Sequence, residues 1–464
     1  MSPVILAATD TFGDQVSSDA FTQNFFYIMA ATAVVLGLLG LVLVDVGLVR
    51  PVNALSTAVQ KLVAFTIGTG AYMVAGFALW NYQYNKAFAV DNGLSQAFKD
   101  WWFGGTFLND YAQNIDSSVA PGVGNSQIFF VFLAVYGGFV CALVHTAASE
   151  RVRSGPFYIM SAAIGGVIYP VVLWLTWGST SPLTNAGLHD FVGAYSAYIF
   201  AGAFGLVLTI KLKPRIGLFP KPGETATWAP NSVPMALFGV VVLLFAAPLI
   251  VMGCGFFVPE DGYYGVSMTT SGLGVVYINV FVSFVVGGLV GAAIAYRTKN
   301  PVHAILGPIS AYVANTTAFD VLKPWETAVV AVAGPVVVAV AYTWVGKRGI
   351  DDGKVFPLAC AAVAGDILVG LIAWGTPTGG YFGLEGDFGF QHAEINLWWQ
   401  LVGIVVTIAI GAISAALLVG VLGTFMRLRV DPEDEVNGTD AARWTPRSTT
   451  TSSAGGHRVP EPAR

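Results

Sequence analysis

The residues of this chain that could do chemistry are few and stand in apolar surroundings. Asp190 opens the stretch HDFVGAYSAYIFAGAFGL at 189–206, Asp45 closes an apolar run before Arg50, and Asp366 lies near the middle of VFPLACAAVAGDILVG. A carboxylate in hydrocarbon is costly, so each of the three must be paired, neutralised or turned toward a polar path, and each is a candidate for handling a proton or a small cation. For Asp45 the competing role is a contact with Arg50 or with backbone that only fixes a helix end. For Asp366 it is a buried helix-to-helix hydrogen bond. The five histidines, His145, His189, His303, His392 and His457, are scattered, and Cys141, Cys254 and Cys360 all fall in apolar runs. No metal-ligand cluster, disulfide framework or nucleophile–base set can be assembled from them, so no enzyme, metal or cofactor is expected. The chemistry left is recruitment and passage of a small solute.

The elements that position these residues follow from composition. Of 464 residues 55% are hydrophobic and only 11% charged, against about a quarter charged in an average soluble chain. A hydrocarbon layer about 30 Å thick needs roughly 20 apolar residues per helix, and runs of that order recur at 25–49, 62–80, 128–148, 157–177, 191–210, 235–257, 271–296, 302–318, 328–345, 355–374 and 397–422. The expected fold is therefore an all-α integral membrane protein of eleven transmembrane helices. The eighth run, with Pro308 and Asn315, is the least apolar in character. None of the runs alternates polar and apolar residues as barrel strands do. Asp190 before the fifth run and Asp351–Asp352 before the tenth enter from opposite faces, the spacing of a five-plus-five inverted pseudo-repeat followed by a long eleventh helix.

Lys and Arg in the loops orient the chain. An external N-terminus puts Arg50, Arg151, Arg153, Arg215, Lys347 and Arg429, among others, on the cytoplasmic side and leaves only Lys86, Lys99 and Lys323 outside. Residues 1–24 are then an external segment, kept or trimmed, too short in apolar run and without the positive start of a signal peptide. Residues 25–426 form the channel domain, and 427–464 a cytoplasmic tail, Ser-, Thr- and Pro-rich from about 441 and expected to be largely disordered. Residues 83–124 form the longest external loop, with Trp101, Trp102 and Tyr111 placed to cap a vestibule or meet a neighbouring subunit.

Several motifs resemble those of the ammonium transporter family (Amt/Mep/Rh). DVGLVRPVNALS at 45–56 is similar to the family's E-x-G-x-x-R-x-K-N-x-x-S, with Asp45 as the acid, Gly47, Arg50, Asn53 and Ser56 in register and the lysine missing. SERVRSG after the third run, Trp177-Gly178 after the fourth, DF at 190–191, IDDGKVF at 350–356 and the tail LRVDPEDEVNGTD follow in the family's order. The resemblance implies ammonium transport by a homotrimer with a narrow pore in each subunit, and a cytoplasmic face that a PII-type regulator could contact. It implies an outer substrate site of Asp190, Trp177, Tyr136 and Cys254, with Ile250 on a gating position. It also exposes a departure: the family's two hydrogen-bonded pore histidines fall on Tyr198 and Ala359. An imidazole titrates near 6.5 and can relay a proton, whereas a tyrosine near 10 stays neutral and alanine offers nothing. Three expectations stay open on this basis: an ammonium channel by a modified route, a channel of the same fold for another small polar or gaseous solute, and a non-conducting sensor that signals through its tail.

Overall fold

The computed structural model describes residues 18–109, 123–178, 180–220, 228–258, 263–265, 272–351, 353–378 and 393–444. Tyr111, Asp352, His392, His457 and the tail beyond 444 lie outside them. Among the described residues eleven helices of 14 residues or more succeed one another: α1 (Ser18–Leu48), α2 (Pro51–Ala87), α3 (Val123–Ala148), α4 (Ser154–Trp177), α5 (Ala194–Leu212), α6 (Val233–Val251), α7 (Leu273–Thr298), α8 (Val302–Asn315), α9 (Pro324–Lys347), α10 (Val355–Ile372) and α11 (Leu397–Phe425). All but α8 are long and apolar enough to cross a membrane.

Local chemistry sets the boundaries. Pro51 and Pro324 occupy first helical positions, where a missing N–H costs nothing. Ser232 caps α6 by accepting from the Met235 N–H at 3.2 Å, and Asn396 caps α11 by accepting from Trp399 at 3.1 Å. With 14 residues α8 spans only about 21 Å. It stops where Asn315 turns its amide back onto the Ala311 and Thr327 carbonyls at 3.0 and 3.4 Å. The carbonyls just beyond are then free to accept from another segment, and the N–H groups of Phe191 and Val192 reach Thr317 and Thr316 at 3.0 and 2.8 Å. The end of α8 thereby fixes the entry to α5.

Small residues let the backbones close up, as they must where lipid gives helices no hydrophobic reason to associate. A Cβ on Gly40 of α1 would lie 2.9 Å from the Gly239 carbonyl oxygen of α6, and one on Gly365 of α10 would lie 1.9 Å from the Ala314 oxygen of α8.

Several expectations need correction. α1 begins at Ser18, so residues 18–24 belong to it. α2 begins at Pro51 rather than 62 and so takes in Lys61. α6 ends at Val251, and Phe256–Val258 instead pairs antiparallel with Tyr263–Gly265. The 83–109 part of the loop expected outside is partly helical, and Trp101 packs inward, 5.0 Å edge-on to Phe77, leaving Trp102 as the exposed member of the pair. Within the tail, Pro432–Asn437 and Thr439–Trp444 form short helices.

Candidate functional site

At the mouth of α5 one Asp190 oxygen, Oδ1, accepts from the Gly193 and Ala194 N–H groups at 2.9 and 2.7 Å. It is an anionic cap on donors that would otherwise be orphaned. The other oxygen is enclosed and has no hydrogen-bond partner among the described residues. Gly193 takes φ +89°, and a Cβ there would meet the Tyr136 hydroxyl at 3.0 Å, so this turn needs glycine. Burial pushes the Asp190 carboxyl up to about 7, while the Ala194 and Gly193 N–H groups and His189 hold it down. A π-helical first turn, Ala194–Ile199, then carries the chain inward.

Tyr136 of α3 closes the mouth from the other side. Its hydroxyl donates to the Val192 carbonyl at 2.6 Å, and its ring stacks on Trp177 with centroids 6.5 Å apart and planes 29° from parallel. The Trp177 indole N–H is enclosed without a partner among the described residues. Cys254, just past α6, donates weakly to the Ile250 carbonyl at 3.5 Å. Burial first, then the Asp190 carboxylate, holds its thiol well above the ordinary value. The four outer residues named from the sequence are thus all buried around one place.

Below them lies a cavity lined by Tyr136, Phe139, Tyr198, Leu243, Leu244, Ala247, Ile250, Phe284, Ile309 and Tyr312. No charged side chain or imidazole is among these. Space for the centres of water-sized spheres amounts to about 50 Å³, against the ~10–15 Å³ that admits one water. A few small molecules fit, and a hydrated ion with its shell does not. Tyr198 and Ile250 line it. Ala359 does not: it is packed on α5 at Gly202, where an added Cβ would come within 2.2 Å of its own. Tyr312, on the helix least legible in the sequence, was not anticipated.

His189 is buried and bound at both nitrogens, Nε2 to Asp320 Oδ1 at 3.0 Å and Nδ1 to the Thr378 carbonyl at 3.1 Å. Both partners are acceptors, and only the imidazolium can donate to both. Burial alone would lower its pKa, but Asp320 outweighs it and holds His189 above the ordinary value. Asp366 is fully buried off the cavity, accepts from the Thr317 hydroxyl and stands beside Tyr195. Asp45 does not pair with Arg50. It meets Lys61 Nζ at 2.7 Å and accepts from Thr146 Oγ1 at 2.8 Å.

Arg50 turns instead to a polar cluster at the opposite end of α5. Its Nε is 3.3 Å from Glu150 Oε1, and Asn53 donates to the same oxygen at 2.7 Å. Arg215 joins Glu150 to Asp351, with Nη1 2.6 Å from Glu150 Oε2, Nη2 2.6 Å from Asp351 Oδ1 and Nε 2.7 Å from Asp351 Oδ2. Arg151 Nη1 adds a contact to Asp351 at 3.2 Å. Burial would raise both acids, but Arg215 above all holds Glu150 and Asp351 below the ordinary carboxylate range. The tail docks onto this cluster: Thr439 N donates to Asn53 Oδ1 at 2.7 Å, and Asp440 accepts from Leu55 N and Ser56 N at 3.0 and 2.6 Å. A wider cavity, about 510 Å³ by the same measure, opens beside it between Arg215, Trp228, Tyr342 and Lys354.

A sequence profile of the Ammonium Transporter Family matches residues 25–447. Among curated proteins the chain is similar to Ammonium transporter Amt1 of Methanocaldococcus jannaschii, 23% identical over 90% of this chain and 94% of that one. It is also similar to an ammonium transporter of Bacillus subtilis, 26% identical over 86% and 92%. Its fold resembles a solved Sensor Amt Protein, with TM-score 0.73 and 22% identity over 91% of this chain and 98% of that one. It likewise resembles Candida albicans Mep2, with TM-score 0.70 and 18% identity over 92% and 88%.

Proposed function

Because the chain belongs to the ammonium transporter family, we propose that it carries ammonium across the cytoplasmic membrane, gathering the cation at the Asp190 mouth and passing ammonia through the cavity beneath. The observation that carries this reading is that Tyr136 walls both, stacking on Trp177 above and lining the cavity below. The Asp190 charge draws the cation, the Trp177 and Tyr136 rings hold it through their faces, and the uncharged cavity excludes it once hydrated. In this reading Tyr198 and Ala359 stand where the family keeps its histidines. The eleven helices follow the five-plus-five plan, with the turns from Thr316 to Leu322 completing the eighth span. Basic loops place the Arg215 cluster in the cytoplasm. The assembly is a homotrimer, and the docked tail offers a surface to a PII-type regulator.

The test is growth on scarce ammonium of cells lacking their own ammonium transporters. The wild-type chain restores growth and Asp190→Ala does not. Failure of the wild type, with the protein present in the membrane, refutes the reading. That failure is the result expected of a non-conducting sensor, a second reading favoured by the tail docked on Asn53 and by likeness to a Sensor Amt Protein. A third, passage of another small polar or gaseous solute, is favoured by the apolar Ile250 at the gate.

A further inference from the structure

Three phenols face the cavity, on three different helices, and they are not equivalent. The Tyr136 hydroxyl is committed to the Val192 carbonyl at 2.6 Å. Tyr198 on α5 and Tyr312 on α8 line the same space, and among the described residues neither hydroxyl has a hydrogen-bond partner. The Tyr312 ring is fixed between Phe284, stacked at 5.7 Å, and Phe319 at 5.4 Å. The rest of the lining is aliphatic or phenyl. Among the described lining residues the uncommitted polar groups are therefore two O–H groups on different helices, the Tyr312 ring held between two aromatic neighbours.

We propose that Tyr198 and Tyr312 are the specificity-determining pair of the lumen, selecting a small neutral solute with a lone pair, ammonia or methylamine, and refusing both the cation and its proton. The inference rests on the transport reading above and adds how the solute is chosen. A neutral phenol donates one hydrogen bond well, and an amine lone pair accepts it. A cation stripped of water needs acceptors enough to replace its shell, since leaving water costs several kcal/mol even after relaxation. Two hydroxyl oxygens in an apolar wall do not supply them. Nor can the pair act as a base: a phenol with an ordinary pKa near 10 is already protonated at neutral pH and has no lone pair basic enough to take a proton from ammonium. The lining holds no carboxylate or imidazole to do so instead.

The proton balance follows. At the mouth one N–H bond of ammonium breaks, the bonding pair stays on nitrogen, and the proton leaves to outer water. Ammonia crosses between the two phenols and takes a proton from water on the far side. The net event is one neutral molecule moved, with the inner compartment made more alkaline and no charge displaced.

Proteoliposomes given an outward-to-inward ammonium gradient test this with two readouts at once, an internal pH dye and the current on a solid-supported membrane. The wild type should alkalinise its lumen faster than protein-free vesicles with no current above theirs. Tyr198→Phe and Tyr312→Phe keep both rings, and the latter its contacts with Phe284 and Phe319, so the fold is expected to survive, which gel filtration checks. Each should slow alkalinisation about three- to tenfold, the effect of one lost hydrogen bond, again without current. A current that accompanies ammonium in the wild type overturns the proposal while leaving ammonium transport standing. Phenylalanine variants as fast as wild type overturn it too. Absence of both signals in the wild type overturns the transport reading and this proposal with it.

Discussion

Replacing Asp190 separates two tasks that one carboxylate performs. Among the described residues its Oδ1 is the acceptor for two enclosed N–H groups, Gly193 and Ala194, in a stretch buried from 190 to 197. Asp190→Ala leaves both unpaired, at about 1–3 kcal/mol each, so a loss of about 2–6 kcal/mol is expected. Asp190→Asn keeps an oxygen in place and forfeits only the charge-assisted part of two bonds, about 1–2 kcal/mol, a loss offset by removing a charge whose burial is unfavourable. Thermal unfolding in detergent, followed by tryptophan fluorescence, should place both wild type and Asn above Ala. Flux should separate the tasks, because the Asn variant is folded yet has no charge to draw the cation. Burial pushes the carboxyl up to about 7, so it should be neutralised as the outer pH falls through that value. At fixed ammonium concentration the wild-type rate should then fall with outer acidity through about pH 7, while Asn stays uniformly slow. Equal stability of all three proteins, or wild-type flux through Asn at pH 7.5, refutes the reasoning.

Other perturbations test the frame around the mouth. Arg215→Ala strips Glu150 and Asp351 of the cation between them and should cost about 3–5 kcal/mol in a detergent melt, part of it regained by adding Asp351→Asn. Because both acids are held low, the cluster's contribution is complete above the ordinary carboxylate range near 4 and is lost only as pH falls through their lowered values. The wild-type melting temperature should therefore carry no titration of this cluster between pH 5 and 8. His189 behaves oppositely. Its pKa is raised, so its contribution is whole below about 6.5 and disappears as pH climbs through the raised value, and Asp320→Asn should abolish that pH dependence. Gly365→Val drives a side chain against the Ala314 carbonyl and should lower stability by about 1–3 kcal/mol or more, read as loss of the monodisperse peak in gel filtration.

What the sequence made legible divides along a physical line. Spans announce themselves by sustained apolarity, so their order was readable while their ends, set by Pro51, Asn315 and Ser232, were not. The motifs around Arg50, Glu150, Asp351 and Asp440 are spread over the whole chain, and the structure shows why they belong together: they form one polar cluster that closes the end of the bundle and binds the tail. They identify the fold and say little about the solute. Asp190 could be found because a carboxylate before an apolar run is rare. Lys61 could not, because a helix starting at 62 excluded it, and the Asp45 partner was sought at Arg50. Tyr312 was hidden for a different reason. α8 mixes Pro308, Asn315 and threonines with apolar residues, so no periodicity says which face meets a cavity. The pairing of His189 with Asp320 joins residues far apart in the chain, a contact that local pattern cannot convey.

The central claim, an acid-capped mouth opening on an uncharged cavity that passes ammonia, is tested most directly by stopped-flow alkalinisation of proteoliposomes on mixing with ammonium. The account predicts a rise in internal pH faster than in protein-free vesicles for the wild type, and a rate close to protein-free for Asp190→Ala. A wild type no faster than empty vesicles contradicts it.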